Sequence, residues 1–401
     1  MININKSAYF FLVLTIISLS IAPAFALGEG NRNLLLIYFM AISPILIIVF
    51  NYFHKTDIWL LIFMAFIIII PSLNHPESMR WSTVLYSCMF CLTFMAYNRL
   101  LIKSKIHPIK YLNILKFLII IYTITLLIQQ LCVLLNLPII NISNYDETTP
   151  WKLNALASEP SHSARIVGVL MYSYIVIKEL ILNRAYNLKK DFKYDKWVWI
   201  AFIWTMITMG SGTAFLFLPL ILVKQLKGRN IIPLILLSIG IFALMNLLKI
   251  DVFVRTYNTI LATFTFDVSN IIEADHSASF RIIPFIILFE RLSIDSLDGL
   301  FGYGVDYVST FLSDATYGMP DGYSGGGLLQ VWMEYGFITF LLFIIFSIKF
   351  TCIKKHYLSF IFWSIIVFLN GFNSQITWLC IVLLFTNKHF FNSVNQSPLA
   401  H

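Results

Sequence analysis

Apolar runs long enough to cross a lipid bilayer recur along almost the whole chain, and this constrains the fold before anything else does. A helix of about 18 or more predominantly apolar residues spans the hydrocarbon core, and a chain built of such runs has little left for a water-exposed surface. Hydrophobic residues make up 59% of the 401 positions and charged residues only 12%, against about half and about a quarter in a soluble domain. No segment is long and polar enough to form a separate soluble domain. The expectation is therefore an all-α, polytopic helical membrane protein, with residues 1–401 forming a single transmembrane domain.

Read along the chain, the runs predict about twelve spans, at 8–27, 33–50, 57–73, 81–99, 112–137, 164–183, 197–209, 212–227, 230–248, 326–349, 357–370 and 372–387. The first follows Lys6 and contains Ala24-Phe25-Ala26, which resembles a signal-peptide cleavage site. Its apolar stretch exceeds a usual signal core, which favours a retained helix. Gly210-Ser211-Gly212 marks either a tight turn or a helix interruption.

The loops between these runs alternate in charge. One set is short and basic: Arg99, Lys103, Lys105 and Lys110; Arg184, Lys189, Lys190, Lys193 and Lys196; Lys224, Lys227 and Arg229; Lys349, Lys354 and Lys355. The other set holds the two long loops, 138–163 and 249–325, and most of the acidic residues. The positive-inside bias then predicts both termini in the cytoplasm and both long loops outside. A net charge of +8 distributed over short loops orients a membrane protein and gives no nucleic-acid surface. Within the larger loop, Val252–Phe266 reads as an interfacial amphipathic helix. Ile282–Phe289 is too short to span and reads as interfacial or re-entrant.

The five cysteines lie in or beside apolar runs. Cys88 and Cys91 form a C-x-x-C without a second pair or a histidine cluster, so they read as packing residues rather than metal ligands. His54, His75, His107 and His356 have no metal-ligand spacing and read as solvated or interfacial. No metal and no cofactor is expected.

Two outer clusters carry chemistry-bearing residues. In Ser158-Glu159-Pro160-Ser161-His162-Ser163-Ala164-Arg165, Ser158 suits a helix cap and Pro160 a first turn. Glu159, His162 and Arg165 are spaced three apart and share one helical face. A helix N-terminus with an arginine suits a phosphate, and a carboxylate or imidazole beside it can take a proton from a hydroxyl. The plainer reading is a cap with interfacial anchors. The second cluster is His276-Ser277-Ala278-Ser279-Phe280-Arg281, followed by Arg291. Its two arginines flank the short apolar segment and suit a diphosphate at headgroup level, or else ordinary lipid headgroups, or pairing with Glu290 and Asp295. His276 and Asp306 join Glu159 and His162 as candidate bases. Phe301-Gly302-Tyr303-Gly304 lacks the preceding Thr-Val run of a potassium filter. Gly322–Gly327 lacks the Lys-Ser/Thr of a nucleotide loop, and reads as a lid or a tight approach to the next helix.

These features together resemble the O-antigen polymerase (Wzy) family, within the wider group that includes the O-antigen ligases. The resemblance covers the whole chain as architecture and sharpens at three places. Ala157-Ser158-Glu159-Pro160-Ser161 is similar to the Glu-Pro segment that opens a span in these polymerases. Ser279-Phe280-Arg281, Arg291 and Gly302-Tyr303-Gly304 resemble their second large outer loop, with Arg-x10-Gly spacing between Arg291 and Gly302. Gly327-Leu328-Leu329-Gln330 to Glu334-Tyr335-Gly336 resembles the opening of the span that follows. Val176 stands where Arg165 would need a glycine for the same spacing, and Gly210-Ser211-Gly212-Thr213 stands where many relatives carry Ser-Arg.

The resemblance implies a multi-pass protein of the bacterial inner membrane with its long loops in the periplasm. It implies a glycosyltransferase that joins oligosaccharide repeats carried on undecaprenyl diphosphate, without a sugar nucleotide. Arg165, Arg281 and Arg291 would then hold the diphosphate, and Glu159, His162, His276 or Asp306 would serve as base, Glu159 first. Membrane lipids and a chain-length regulator protein are the implied partners. The alternatives are an O-antigen ligase delivering finished glycan to lipid A–core, which His276 keeps open, and a lipid-linked-oligosaccharide flippase or other transporter. Ion-coupled transporters place ionisable residues in their spans, and the runs here carry few.

Overall fold

The computed structural model is all-helical. It describes residues 4–27, 32–142, 145–224, 257–259, 261–274, 276–315, 325–354 and 356–396, with side chains other than those of 276–278, 313–315 and 394–396. In chain order the helices are α1 (Ile4–Ser20), α2 (Leu34–Val49), α3 (Lys55–Asn74), α4 (Trp81–Ser104), α5 (Pro108–Leu134), α6 (Pro160–Leu182), α7 (Leu188–Thr208) and α8 (Gly212–Lys224). There follow α9 (Val268–Ala274), α10 (His276–Arg291), α11 (Leu297–Phe301), α12 (Tyr307–Ala315), α13 (Leu329–Thr351), α14 (Tyr357–Phe362), which continues as a π-helical turn over Trp363–Phe368, and α15 (Gln375–Gln396).

The expected topology of about twelve spans does not stand, nor does the multi-pass inner-membrane localisation with cytoplasmic termini built on it. Among the described residues, four helices are long and apolar enough to cross a membrane: α3, α4, α5 and α13. The apolar runs do mark helices, but apolarity here serves two ends. In α6 every residue from Ile166 to Ile177 is buried inside the protein, so that run is spent on the core. The same helix carries Arg165, Lys178 and Glu179, and α7 opens with Lys189, Lys190, Asp191, Lys193, Asp195 and Lys196. Length removes others: α1 has 17 residues, α2 has 16 and α8 has 13, against about 20 for a span. The expected span at 230–248 and the start of the Val252–Phe266 segment lie outside the described residues. Ile282–Phe289 falls within the 16-residue α10.

The chain divides into two compact units. One comprises Met1–Phe50, Ala96–Ala243 and Val382–His401, the other Asn51–Met95 and Leu244–Ile381. In the first, α5 packs on α6 and α7, and α6 packs on α8. Gly168 permits the α6–α8 approach, since a Cβ there would stand 2.9 Å from the Phe217 ring. The charges of α6 and α7 gather in a satisfied corner. Asp195 accepts from the Tyr174 hydroxyl at 2.8 Å and Lys178 Nζ at 2.9 Å, and Tyr186 donates to its second oxygen at 3.1 Å. Arg184 forks onto Asp191 through Nη1 at 2.9 Å and Nη2 at 2.5 Å, and Lys224 meets Glu179 at 2.7 Å. The Arg184 hydrogen bonds hold the buried Asp191 carboxyl below the usual aspartate range.

In the second unit, α3 packs on α13 around an aromatic core. Phe63, Phe343, Phe372 and Trp378 contribute rings with centroids 5.2–6.2 Å apart, distances that suit edge-to-face and tilted pairs. Glycines bring irregular backbone onto α13. Gly302 (φ +88°) and Gly336 (φ +83°) adopt a conformation that disfavours side chains. Added Cβ atoms would lie 2.4 Å from the Glu334 carbonyl oxygen and 2.2 Å from that of Leu300, respectively. Gly327 (φ +57°) likewise lies against the Phe368 carbonyl, so this end of the glycine-rich segment is a tight approach. Helix starts are capped by residues of varied type. His54 accepts from the Thr56 N–H and Asp57 answers to the His54 N–H at 3.0 Å, a reciprocal box. His107 accepts from the Ile109 N–H at 3.3 Å.

Candidate functional site

The start of α6 is positioned by buried amides. Gln129, fully buried on α5, donates to the Ile140 carbonyl at 2.8 Å and Asn154 Oδ1 at 3.1 Å, and accepts from the Ala155 N–H at 2.8 Å. Asn154 donates to the carbonyls of Asn141 at 2.9 Å and Ala157 at 2.6 Å. Asn141 donates to the Ala155 carbonyl at 2.7 Å and accepts from the Ala24 N–H at 2.6 Å. Ser163 donates to the Asn154 carbonyl. Without these partners the loop after α5 would carry buried backbone groups with no secondary structure to satisfy them. Ala155 is held at φ +48° within this mesh. Further out, the Thr148 hydroxyl and N–H bond Asp146 and hold its carboxyl below the usual range. The loop also lies over the α7–α8 turn: Gly210 (φ +66°) has no room for a Cβ beneath the Trp151 carbonyl, at 2.9 Å. Gly210-Ser211 is thus a tight turn.

This frame presents Glu159 as the N-cap of α6, with Pro160 in its first turn. No side-chain hydrogen bond caps the backbone N–H groups of the first turn, so the expectation that Ser158 caps the helix is replaced by another role. The Ser158 hydroxyl meets His162 Nδ1 at 2.9 Å. On the other side of the ring, His162 Nε2 stands 3.9 Å from Glu159 Oε2, which also accepts from the Ser161 hydroxyl at 3.1 Å. The imidazole therefore hydrogen-bonds a hydroxyl on one side and stands near a carboxylate on the other, across one helical turn. Glu159 is half exposed and His162 one-third exposed, so both can meet a ligand. Arg165 is partly buried one turn further along the same face. A carboxylate, an imidazole and a guanidinium in this order can accept a proton at one end and stabilise an anion at the other.

The other candidates lie in the second unit. Arg281 and Arg291 are both exposed on α10. Ten residues separate them, about 15 Å along a helix axis, so they act at separate places along it. Arg291 stacks over the Phe311 ring at 5.3 Å. His276 opens α10, but its side chain lies outside the description. Asp306 sits on the turn into α12 with φ +60°. Its Oδ2 accepts from the Thr83 hydroxyl at 3.0 Å and lies 3.5 Å from Arg80 Nη1. Arg80, just before α4, and Thr83 in its first turn carried no functional signal in the sequence. Glu334 sits fully buried in α13 beside Asp306. It was legible only as part of the Glu334-Tyr335-Gly336 segment.

Among the described residues, no group of three His, Cys, Asp or Glu is placed to hold a metal ion. The five cysteines are free thiols. Comparison with protein-family models, curated proteins and solved structures returned no match.

Proposed function

We propose that the chain is a glycosyltransferase of the O-antigen polymerase kind, which joins oligosaccharide repeats carried on undecaprenyl diphosphate. The observation that supports this reading best is the His162 bridge between Ser158 and Glu159 at the head of α6, followed on the same face by Arg165. In the proposed reaction a sugar hydroxyl of the acceptor repeat gives its proton to Glu159 as its oxygen bonds the donor's anomeric carbon. The bond from that carbon to the carrier's phosphate oxygen breaks, and undecaprenyl diphosphate leaves with the electron pair. Arg165 and the N-terminus of α6 offset the developing negative charge. His162, fixed between Ser158 and Glu159, keeps the carboxylate in place and offers the proton a way out. Among the described residues, four helices long and apolar enough to cross a bilayer suit a substrate whose carrier is a lipid. A chain-length regulator protein is the proposed macromolecular partner.

The test is the surface polysaccharide of the host, resolved by gel with and without this gene. Loss of the ladder to core bearing a single repeat supports the reading. An unchanged ladder refutes it, and bare core with lipid-linked polymer accumulating assigns a ligase instead. Re-expression of Glu159→Gln at wild-type protein level should leave the ladder missing, because loss of a general base costs about 10²–10⁴ in rate.

A further inference from the structure

Where α3, α4, α11 and α13 of the second unit meet the Gly302–Asp306 turn, polar side chains converge outside the α6 site. His75 lies between two carboxylates, with Nδ1 3.4 Å from Glu77 and Nε2 3.5 Å from Asp298. Arg80 and Thr83 reach Asp306. The turn is seated by close approaches that only glycine allows. Gly304 (φ +103°) leaves no room for a Cβ, which would lie 2.4 Å from Ser78 Oγ, and the Tyr303 N–H donates to the Met333 carbonyl at 2.7 Å. Tyr303 then stacks on Tyr307, centroids 4.8 Å apart, and Tyr307 on Phe311 at 5.6 Å.

Beneath this rim lies Glu334, fully buried. Its Oε1 accepts from Gln330 Nε2 at 3.0 Å, while Oε2 meets no hydrogen-bond donor at bonding geometry among the described residues. The backbone N–H groups of Val308 and Asp306 are turned toward this carboxyl. A buried carboxyl left partly unsatisfied is costly, and such groups call for an explanation beyond packing. Here it faces the backbone of the one residue of the turn whose left-handed conformation is not relieved by glycine, Asp306.

We propose that this rim is a glycan-binding site, with Asp306 as the hydroxyl acceptor and Glu334 as the buried residue that positions it. The chemistry selects the ligand class. Glu77, Asp298 and Asp306 outnumber Arg80 and His75, so a phosphate meets net repulsion. A bare cation lacks three converging ligands among the described residues. A sugar offers hydroxyls that donate to carboxylates and accept from guanidinium, imidazole and Thr83, and apolar ring faces that suit the neighbouring tyrosines. The site stands on its own geometry; that its glycan is the repeat unit of the proposed reaction rests on the reading above.

The experiment uses the full chain in lipid nanodiscs and the host's oligosaccharide repeat released from its carrier, free of phosphate. Binding is followed by saturation-transfer NMR and calorimetry. The wild type binds the probe, and Asp306→Asn weakens it at least tenfold; asparagine tolerates the same backbone conformation. Glu334→Gln weakens it to a similar degree, and the double variant no further than Asp306→Asn alone, because Glu334 acts through Asp306. Absence of binding to a folded wild type overturns the proposal, as do unchanged affinity in Asp306→Asn or equal fold-losses from Glu334→Gln in both backgrounds. Inorganic diphosphate competing for the site would overturn the assignment of a glycan. A missing polymer ladder concerns the proposed reaction and leaves this binding measurement separate.

Discussion

Replacing Gln129 with leucine tests whether buried amides hold the α6 site in place. Leucine is close to glutamine in volume, so little cavity forms and the change isolates the polar groups. The amide of Gln129 satisfies the Ala155 N–H at 2.8 Å, the Ile140 carbonyl at 2.8 Å and Asn154 Oδ1 at 3.1 Å. A third acceptor, the Ala155 carbonyl, stands at 3.4 Å, but it is also served by Asn141 at 2.7 Å and so keeps a donor. The variant thus orphans two or three groups in a buried setting. At about 1–3 kcal/mol for each unsatisfied group, the loss is about 2–9 kcal/mol, less whatever water recovers by entering. Gln130→Leu is the control. Among the described residues its amide hydrogen-bonds the Thr208 hydroxyl at 2.8 Å and Trp204 Nε1 at 3.2 Å, and Thr208 is exposed enough to find water, so about 1 kcal/mol is expected. Thermal and denaturant unfolding of the purified full chain, followed by tryptophan fluorescence, reads both. Equal losses for the two variants, or a loss under about 1 kcal/mol for Gln129→Leu, would refute the reasoning.

Gly302→Ala should abolish accumulation of folded protein, because its Cβ would meet backbone at 2.4 Å on a left-handed residue. Gly168→Ala should be milder, about 1–3 kcal/mol, since it meets only the Phe217 ring; unfolding midpoints and yields compare them. Asp191 is held low by Arg184, so its contribution is fully present above the unfolded value of about 3.9. It is lost as pH falls through the depressed folded value. Arg184→Gln should therefore flatten the acid side of the stability profile without changing its shape near neutrality, as measured by unfolding across pH. Ser158→Ala should free the His162 ring from its hydroxyl partner and lower polymer yield while leaving the midpoint within about 1 kcal/mol, and an unchanged yield would remove Ser158 from the site.

The positions of the helices were legible in the sequence, and their relation to the membrane was not. Apolar runs mark α3, α4, α5 and α13 within a few residues, because a bilayer and a protein core both reward apolar side chains. For that same reason the run in α6 looked like a span although its residues from Ile166 to Ile177 face protein. Charge would have separated the cases: Lys178 with Glu179 in α6 and Asp191 with Asp195 at the start of α7 belong to a folded polar corner. The shared face of Glu159, His162 and Arg165 followed from helical spacing. The His162–Ser158 bond did not, because serine before a proline suggests a cap. Gln129 and Gln130 are polar residues in an apolar run, yet their partners lie in a loop 11–26 residues away for Gln129 and on α7, 74–78 residues away, for Gln130, beyond any local pattern. His54 and His107, read as solvated or interfacial, cap helices. Glu334 is the clearest omission: a carboxylate inside an apolar run beside Gly336 is the kind of residue that marks function.

The most direct test is reconstitution. The purified full chain in liposomes is given the host's undecaprenyl-diphosphate-linked repeat, with no sugar nucleotide and no other protein. The account predicts lipid-linked glycan growing by whole repeats, with one undecaprenyl diphosphate released per linkage, and neither product from Glu159→Gln. A folded wild-type chain that leaves the repeat unextended, or a Glu159→Gln chain that extends it at the wild-type rate, would contradict it.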